Sequence, residues 1–291
     1  MNKILFPVLA VLFFAGATAQ AIEVQGHRGS RGTHPEDTLP AFEEALRAGV
    51  DVLELDLGVT KDNVVVVSHD QHVSQLICLD PEGKPIEKAP LINSLTLVEV
   101  KKYDCGTIKN PKFPKQVPVP GTRIPTLAEV FDLAAASKHP AAAKVKFNIE
   151  TKIDPGQPGN SPAPAAFARL VVDVVKKYKL EDRVIIQSFD YRTLAEVRKL
   201  SKKILKAQLT SDNLIAPKDA VNSSGAEILS PYYLWITKEV VEQAHKDNIQ
   251  VVPWTLNAPA EWEAAIDYDV DGIITDYPAE LIDFLKAKKL R

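Results

Sequence analysis

Two carboxylates, Glu54 and Asp56, stand two positions apart inside the apolar run Val52 to Leu57. On a strand that spacing turns both side chains to one face, where like charges repel unless something cationic joins them. Glu150, closing the run Val145 to Glu150, completes an all-oxygen set of the type preferred by hard divalent cations such as Ca2+ and Mg2+. The alternative is compensation without a metal by Arg28 and Lys152. His27 and His69 also close strand-like runs. A histidine pair flanking one site can act as general acid and general base at neutral pH. Arg28 can present a planar fork of donors to two phosphate oxygens, and Lys152 adds a point charge. Trp254 and Gln187 lie near other strand ends, where the Trp254 ring packs against a ligand's carbon skeleton or into the core. His34, His72, His139 and His245 fall in loops or on helix faces and are read as structural or solvated.

For these residues to meet, several elements must bring them to one place. Short β-branched runs alternate with helical-period segments, the pattern of βα units around a parallel sheet. Eight strands are expected: Val24 to His27, Val52 to Leu57, Val145 to Glu150, Val184 to Gln187, Ile204 to Leu209, Glu227 to Ser230, Gln250 to Thr255 and Gly272 to Thr275. Helices are expected between them, for example Thr38 to Ala48, Ala163 to Tyr178, Tyr191 to Leu200 and Thr237 to His245, with Thr38 and Thr237 as N-caps. Eight units suggest an α/β fold of the (β/α)8 TIM-barrel type, whose strand ends gather at one mouth.

One run stands outside that series. Val64 to Ser68 follows the second strand after only Thr60-Lys61-Asp62-Asn63, a connection that makes a hairpin and not a crossover. With the turn centred on Asp62, residue 57 faces 67 and the arm returns His69 to the mouth. Residues 71–121 are rich in Pro, Lys and turn residues and read as an insertion packed over the barrel, a candidate wall or lid. Cys78 and Cys105, the only two cysteines, either bridge within this insertion or remain buried free thiols.

The 291 residues are 45% hydrophobic and 25% charged, proportions of a globular protein long enough for one large barrel. A formal net charge of -3 offers no basic excess to a phosphate backbone and argues against nucleic acid as partner. At the N-terminus Lys3 precedes the apolar run Ile4 to Phe14 and small residues with A-x-A patterns ending at Ala19 and Ala21. That is the signature of a cleaved secretory signal over residues 1–21, leaving a barrel domain over 22–291, exported to a periplasm or the medium. No later stretch is long and apolar enough to anchor the chain in a membrane. No feature points to an oligomeric state.

The motifs together resemble the glycerophosphodiester phosphodiesterases of the exported bacterial type. The resemblance spans Gly26-His27-Arg28-Gly29, Pro35-Glu36-Asp37-Thr38, Glu54-Leu55-Asp56, the Thr60-Lys61-Asp62 turn leading to His69-Asp70, Ile149-Glu150-Thr151-Lys152, Ser188-Phe189, Trp254-Thr255-Leu256-Asn257 and Asp271 to Pro278. It implies cleavage of small-molecule glycerophosphodiesters to sn-glycerol 3-phosphate and an alcohol with a divalent metal, Ca2+ or Mg2+. Catalysis then maps to His27 and His69, metal ligation to Glu54, Asp56 and Glu150, phosphate contact to Arg28 and a supporting charge to Lys152. Asp37 departs from the Asn more usual after Pro-Glu, so Glu36 and Asp37 stay outside the implied ligand set. Two rivals keep the same residues. One is a lysophospholipase D or phospholipase C type barrel acting on lipid, which needs an apolar rim; the sequence shows no aromatic cluster for it, and only Ile92, Leu95 and Phe113 of the insertion are candidates. The other is an exported binding protein without turnover.

Overall fold

The computed structural model describes residues 21–212 and 216–291. The expected secretory signal, apart from Ala21, lies outside them. Nine strands form, β1 (Glu23–Gly26), β2 (Val52–Val59), β3 (Val65–Val67), β4 (Lys146–Thr151), β5 (Val184–Ser188), β6 (Leu205–Thr210), β7 (Ile228–Pro231), β8 (Gln250–Val251) and β9 (Gly272–Thr275), among the described residues. Eight of them pair in parallel in the order β8-β7-β6-β5-β4-β2-β1-β9. The seam between β8 and β9 is bridged by backbone bonds from Asp271 N to Val251 O (3.0 Å), Ile274 N to Pro253 O (3.1 Å) and Leu256 N to Ile274 O (3.0 Å). The sheet is thus a nearly closed barrel.

Helices return the chain between strands: α1 (Leu39–Ala48), α2 (Leu97–Val100), α3 (Leu127–Ala136), α4 (Pro164–Tyr178), α5 (Tyr191–Leu200), α6 (Pro217–Ser224), α7 (Lys238–Lys246), α8 (Pro259–Asp267) and α9 (Pro278–Ala287). Their starts follow local chemistry. Thr38 and Thr237 cap α1 and α7, and Thr126 with Glu129 forms a capping box on α3, so orphan N–H groups are satisfied from side chains. Apolar helix faces pack on outward strand residues such as Leu53, Leu55 and Leu57 to form the main core. Inside the barrel a smaller apolar layer of Ile185, Ala207, Ile228, Val252 and Ile274 meets Trp254. None of the described helices is long and apolar enough to cross a membrane.

Two expected strands end early. The first stops at Gly26, which places His27 just beyond it in a tight turn. The seventh of the expected strands stops at Val251, not Thr255, because Pro253 has no N–H to give to a ladder. The hairpin has the expected register, Leu57 facing Val67 and Val59 facing Val65. Residues 71–121 are more ordered than their composition suggests. They contain a 3₁₀ turn at Ile92–Ser94, the single turn α2, and a Cys78–Cys105 disulfide closing a 27-residue separation. Val73, Cys78, Ile86, Ile92, Val100 and Cys105 pack with Val66 and Ile124 into a separate small core.

Candidate active site

The strand periodicity of β2 sets the site's floor. Glu54 and Asp56 point into the barrel while Leu55 and Leu57 point to the helices. β4 lies in register beside β2 with Glu150 paired to Asp56, which brings the third carboxylate alongside. One oxygen from each of Glu54, Asp56 and Glu150 lies within 4.8 Å of the other two. All three are buried.

Polar bonds hold this cluster in place. Glu54 Oε2 accepts from Arg28 N (2.9 Å) and Oε1 from Gln187 Nε2 (2.7 Å); Gln187 is itself oriented by Asn148 Nδ2 at 3.0 Å. Arg28 Nη1 donates to Glu36 Oε1 (2.7 Å), and its Nε lies 3.0 Å from Asp56 Oδ2. Lys152 Nζ lies 2.9 Å from Glu150 and 3.8 Å from Asp56. Burial pushes the Asp56 carboxyl up, but Arg28 and Lys152 outweigh it and hold the group below the usual carboxylate range. Burial followed by the Asp56 charge raises Glu54 well above that range. Glu150 is pushed up to about 7 by burial, with Lys152 opposing. The cluster is short of positive charge, and Asp56 Oδ2 has no hydrogen-bond partner. A hard divalent cation fits such an all-oxygen set, for which Glu54, Asp56 and Glu150 would be the ligands.

His27 enters from the turn after β1. That turn needs Gly29, whose φ is +81° and where a Cβ would stand 2.6 Å from the Ala41 carbonyl carbon. His27 N bonds to Thr275 O (2.9 Å), and its Nδ1 lies 2.6 Å from Asp276 Oδ1. Burial opposes ionisation of Asp276, yet His27, Arg31 and a bond from Asn257 Nδ2 (2.7 Å) keep its pKa lowered. A carboxylate only accepts, so the ring proton sits on Nδ1 and Nε2 carries the lone pair. That Nε2 is 4.0 Å from Glu54 Oε2. Burial lowers the His27 pKa against the raising effect of Asp276. His69 arrives from the hairpin, with Nδ1 2.8 Å from Asp70 Oδ1.

His27, Arg28, Glu54, His69, Glu150, Lys152 and Trp254 all line one cavity of about 200 Å³, with Asp56 beside it as the ion-pair partner of Arg28. The structure therefore brings together the whole residue set singled out in the sequence. Arg31, Gln187 and Phe189 line the cavity too, and Asp276 with Asn257 stands behind His27. Asp276 had a usable signal, a carboxylate directly after a barrel strand. Arg31 had none. His69 also faces a wider cleft of about 690 Å³ between the insertion and the β4–α4 loop. Of the remaining histidines, His139 pairs with Glu43 (3.1 Å), His245 with Asp271 (3.0 Å) and His34 with Thr33 Oγ1 (3.1 Å), while His72 lines the wider cleft.

One expectation is corrected. An apolar rim does exist, built from Phe189 after β5, Leu234 and Trp235 after β7 and Trp254 after β8, with Phe189, Leu234 and Trp235 exposed by 41%, 66% and 43%. Phe189 and Trp254 meet edge to face at 5.7 Å. The residues are far apart in sequence and only barrel closure collects them. Ile92 and Phe113, expected on such a rim, are buried instead, and Leu95 packs against the insertion's own core.

The model of the Glycerophosphoryl diester phosphodiesterase family matches residues 27–280. A glycerophosphodiester phosphodiesterase of Caldanaerobacter subterraneus subsp. tengcongensis is 33% identical over 263 residues, 90% of this chain and 97% of that one. A crystal structure from Silicibacter pomeroyi DSS-3 superposes with a TM-score of 0.85 at 31% identity, covering 92% of this chain and 94% of its own. A human protein named lysophospholipase D is 26% identical over 295 residues, 89% of this chain and 84% of that one.

Proposed function

Since the chain belongs to the glycerophosphodiester phosphodiesterase family, we propose that it hydrolyses glycerophosphodiesters to sn-glycerol 3-phosphate and an alcohol. The observation that carries this reading is the convergence of His27, His69, Arg28, Lys152 and the carboxylates on one small cavity. Arg28 and Lys152 attract the phosphodiester and offset its charge. His27, with its proton fixed on Nδ1 by Asp276, presents the Nε2 lone pair as general base to the nucleophile. His69, paired with Asp70, returns a proton to the departing alcohol. Glu54, Asp56 and Glu150 would hold Ca2+ or Mg2+, which when bound would supply Lewis-acid charge to offset that of the phosphate. A cyclic phosphate preceding glycerol 3-phosphate in ³¹P NMR marks attack by the neighbouring glycerol hydroxyl; its absence marks water.

The test is release of glycerol 3-phosphate from glycerophosphocholine, first with EDTA and then with Ca2+ or Mg2+ restored. Metal-dependent release is expected, and His27→Ala and His69→Ala should each lose on the order of 10² to 10⁴ in rate with folding intact. A folded protein releasing nothing with either metal overturns the reading. Export to a periplasm or the medium is part of the same proposal, supported by the Cys78–Cys105 bridge, since disulfides persist in oxidising compartments.

The exposed rim of Phe189, Leu234 and Trp235 favours a second reading, hydrolysis of a lysophospholipid whose acyl chain rests on these side chains. Choline release from lysophosphatidylcholine that exceeds release from glycerophosphocholine would replace the first reading with this one.

A further inference from the structure

Arg31 stands in the cavity wall between two carboxylates and bonds well to neither. Its Nε lies 3.0 Å from Glu36 Oε2 but out of line, so that this nitrogen has no hydrogen-bond partner. Its Nη1 is 3.8 Å from Asp276 Oδ1 and 3.5 Å from His27 Nδ1, whose proton is already committed to Asp276. Among the described residues no acceptor is hydrogen-bonded to Nη2. Arg28 also has an unpartnered Nε, but its Nη1 is tied to Glu36 Oε1 at 2.7 Å, whereas no terminal nitrogen of Arg31 bonds to a carboxylate.

The guanidinium is nonetheless held in position. Its central carbon lies 4.6 Å from the centroid of the Phe113 ring, a cation–π contact with a buried side chain of the insertion. The same stretch of insertion grips the backbone around Arg31. Gln116 Nε2 donates to Arg31 O (3.0 Å) and His34 O (2.9 Å), and Val117 N donates to Thr33 O (2.8 Å). An arginine fixed by packing, with donors unspent and facing a cavity lined by both histidines, is arranged for an anionic ligand.

We propose that Arg31, positioned by Phe113 of the insertion, is a second phosphate-binding arginine beside Arg28. It contacts non-bridging oxygens of the phosphodiester and of its phosphomonoester product. The inference rests on the phosphodiesterase reading and adds a function for the insertion, which then forms part of the phosphate subsite. The phosphomonoester carries more negative charge than the diester, so loss of Arg31 weakens product binding more than substrate binding.

Calorimetric titration of the Ca2+-loaded protein with sn-glycerol 3-phosphate reads this directly. Arg31→Ala should raise Kd by about 10- to 100-fold, as expected for losing charge-assisted bonds, and Arg31→Lys by less, because charge returns without the fork. Phe113→Ala should raise Kd by about 3- to 10-fold and Phe113→Tyr should restore it. In turnover, KM should rise with kcat largely kept, the sign of contacts made equally in ground and transition states. If Arg31→Ala fails to fold, Arg31→Lys and the two Phe113 variants carry the same comparison. Unchanged Kd in folded variants, with kcat or melting temperature lowered instead, makes Arg31 only a counter-ion to Glu36 and Asp276 and overturns the proposal. Failure of the phosphodiesterase reading looks different: the wild type then releases no glycerol 3-phosphate from any diester, whatever the variants do.

Discussion

Asp276 accepts the Nδ1 proton of His27 at 2.6 Å and is itself held by Asn257, which donates from Nδ2 at 2.7 Å and accepts the Asp276 N–H at 2.9 Å. The pair makes His27 present one nitrogen, in one tautomer, to the cavity. Asp276→Asn keeps the shape but places an amide where a pure acceptor stood, so the ring loses its reason to carry hydrogen on Nδ1. We expect kcat to fall on the order of 10²-fold with little change in KM, measured by steady-state kinetics on the diester, and no further loss when the change is added to His27→Ala. An equal additional loss in that double variant would mean that Asp276 acts elsewhere. The residues that carry this chemistry were readable one at a time from their types and from their places at strand ends. Which of them touch was not, because His27 and Asp276 come from the first and last strands of the barrel.

Among the elements, the insertion is the one whose composition and structure differ most. Its small apolar core is fastened by the Cys78–Cys105 bridge, and both cysteines line a small pocket that also reaches His69 and Asp70. Opening a loop of 27 residues removes roughly 3 to 4 kcal/mol in the chain-entropy account. Cys78→Ser with Cys105→Ser should therefore lower the melting temperature and also kcat/KM, through a less fixed His69; calorimetry and kinetics on the same sample check both. Asp104 fastens the other side. Its carboxylate accepts from Gly106 N (2.9 Å), Thr107 Oγ1 (2.8 Å) and Gly121 N (2.9 Å). Burial raises its pKa, but these bonds prevail and hold it below the ordinary carboxylate range. A lowered folded-state pKa stabilises fully above the unfolded value of about 3.9, and the benefit disappears as pH falls through the folded value. Asp104→Asn should thus melt lower than wild type at pH 7, by about 1 to 2 kcal/mol of lost hydrogen bonding, with the gap closing toward pH 3. A gap independent of pH would place the effect in packing.

At the scale of the whole molecule, the barrel gathers three buried carboxylates at its mouth with insufficient cationic compensation, and a bound divalent cation would relieve that repulsion in the folded state alone. Ca2+ or Mg2+ at about 100 times its Kd adds roughly 2.7 kcal/mol, so melting temperature should rise on metal addition and fall with EDTA. Glu150→Gln, which keeps the volume and removes one charge, should shrink that shift in differential scanning calorimetry; an unchanged shift would put the cation elsewhere. The sequence by itself determined the βα alternation, the hairpin register and the inward face of Glu54 and Asp56, because period-2 strands, short turns and helix caps are local and act over a few residues. Only the tertiary structure decided the pairing of His27 with Asp276, the hold of Phe113 on Arg31, the apolar rim drawn from three loops and the insertion's own core. Those contacts join residues far apart in the chain, and their partners are selected by how the barrel closes and how the insertion folds back over it.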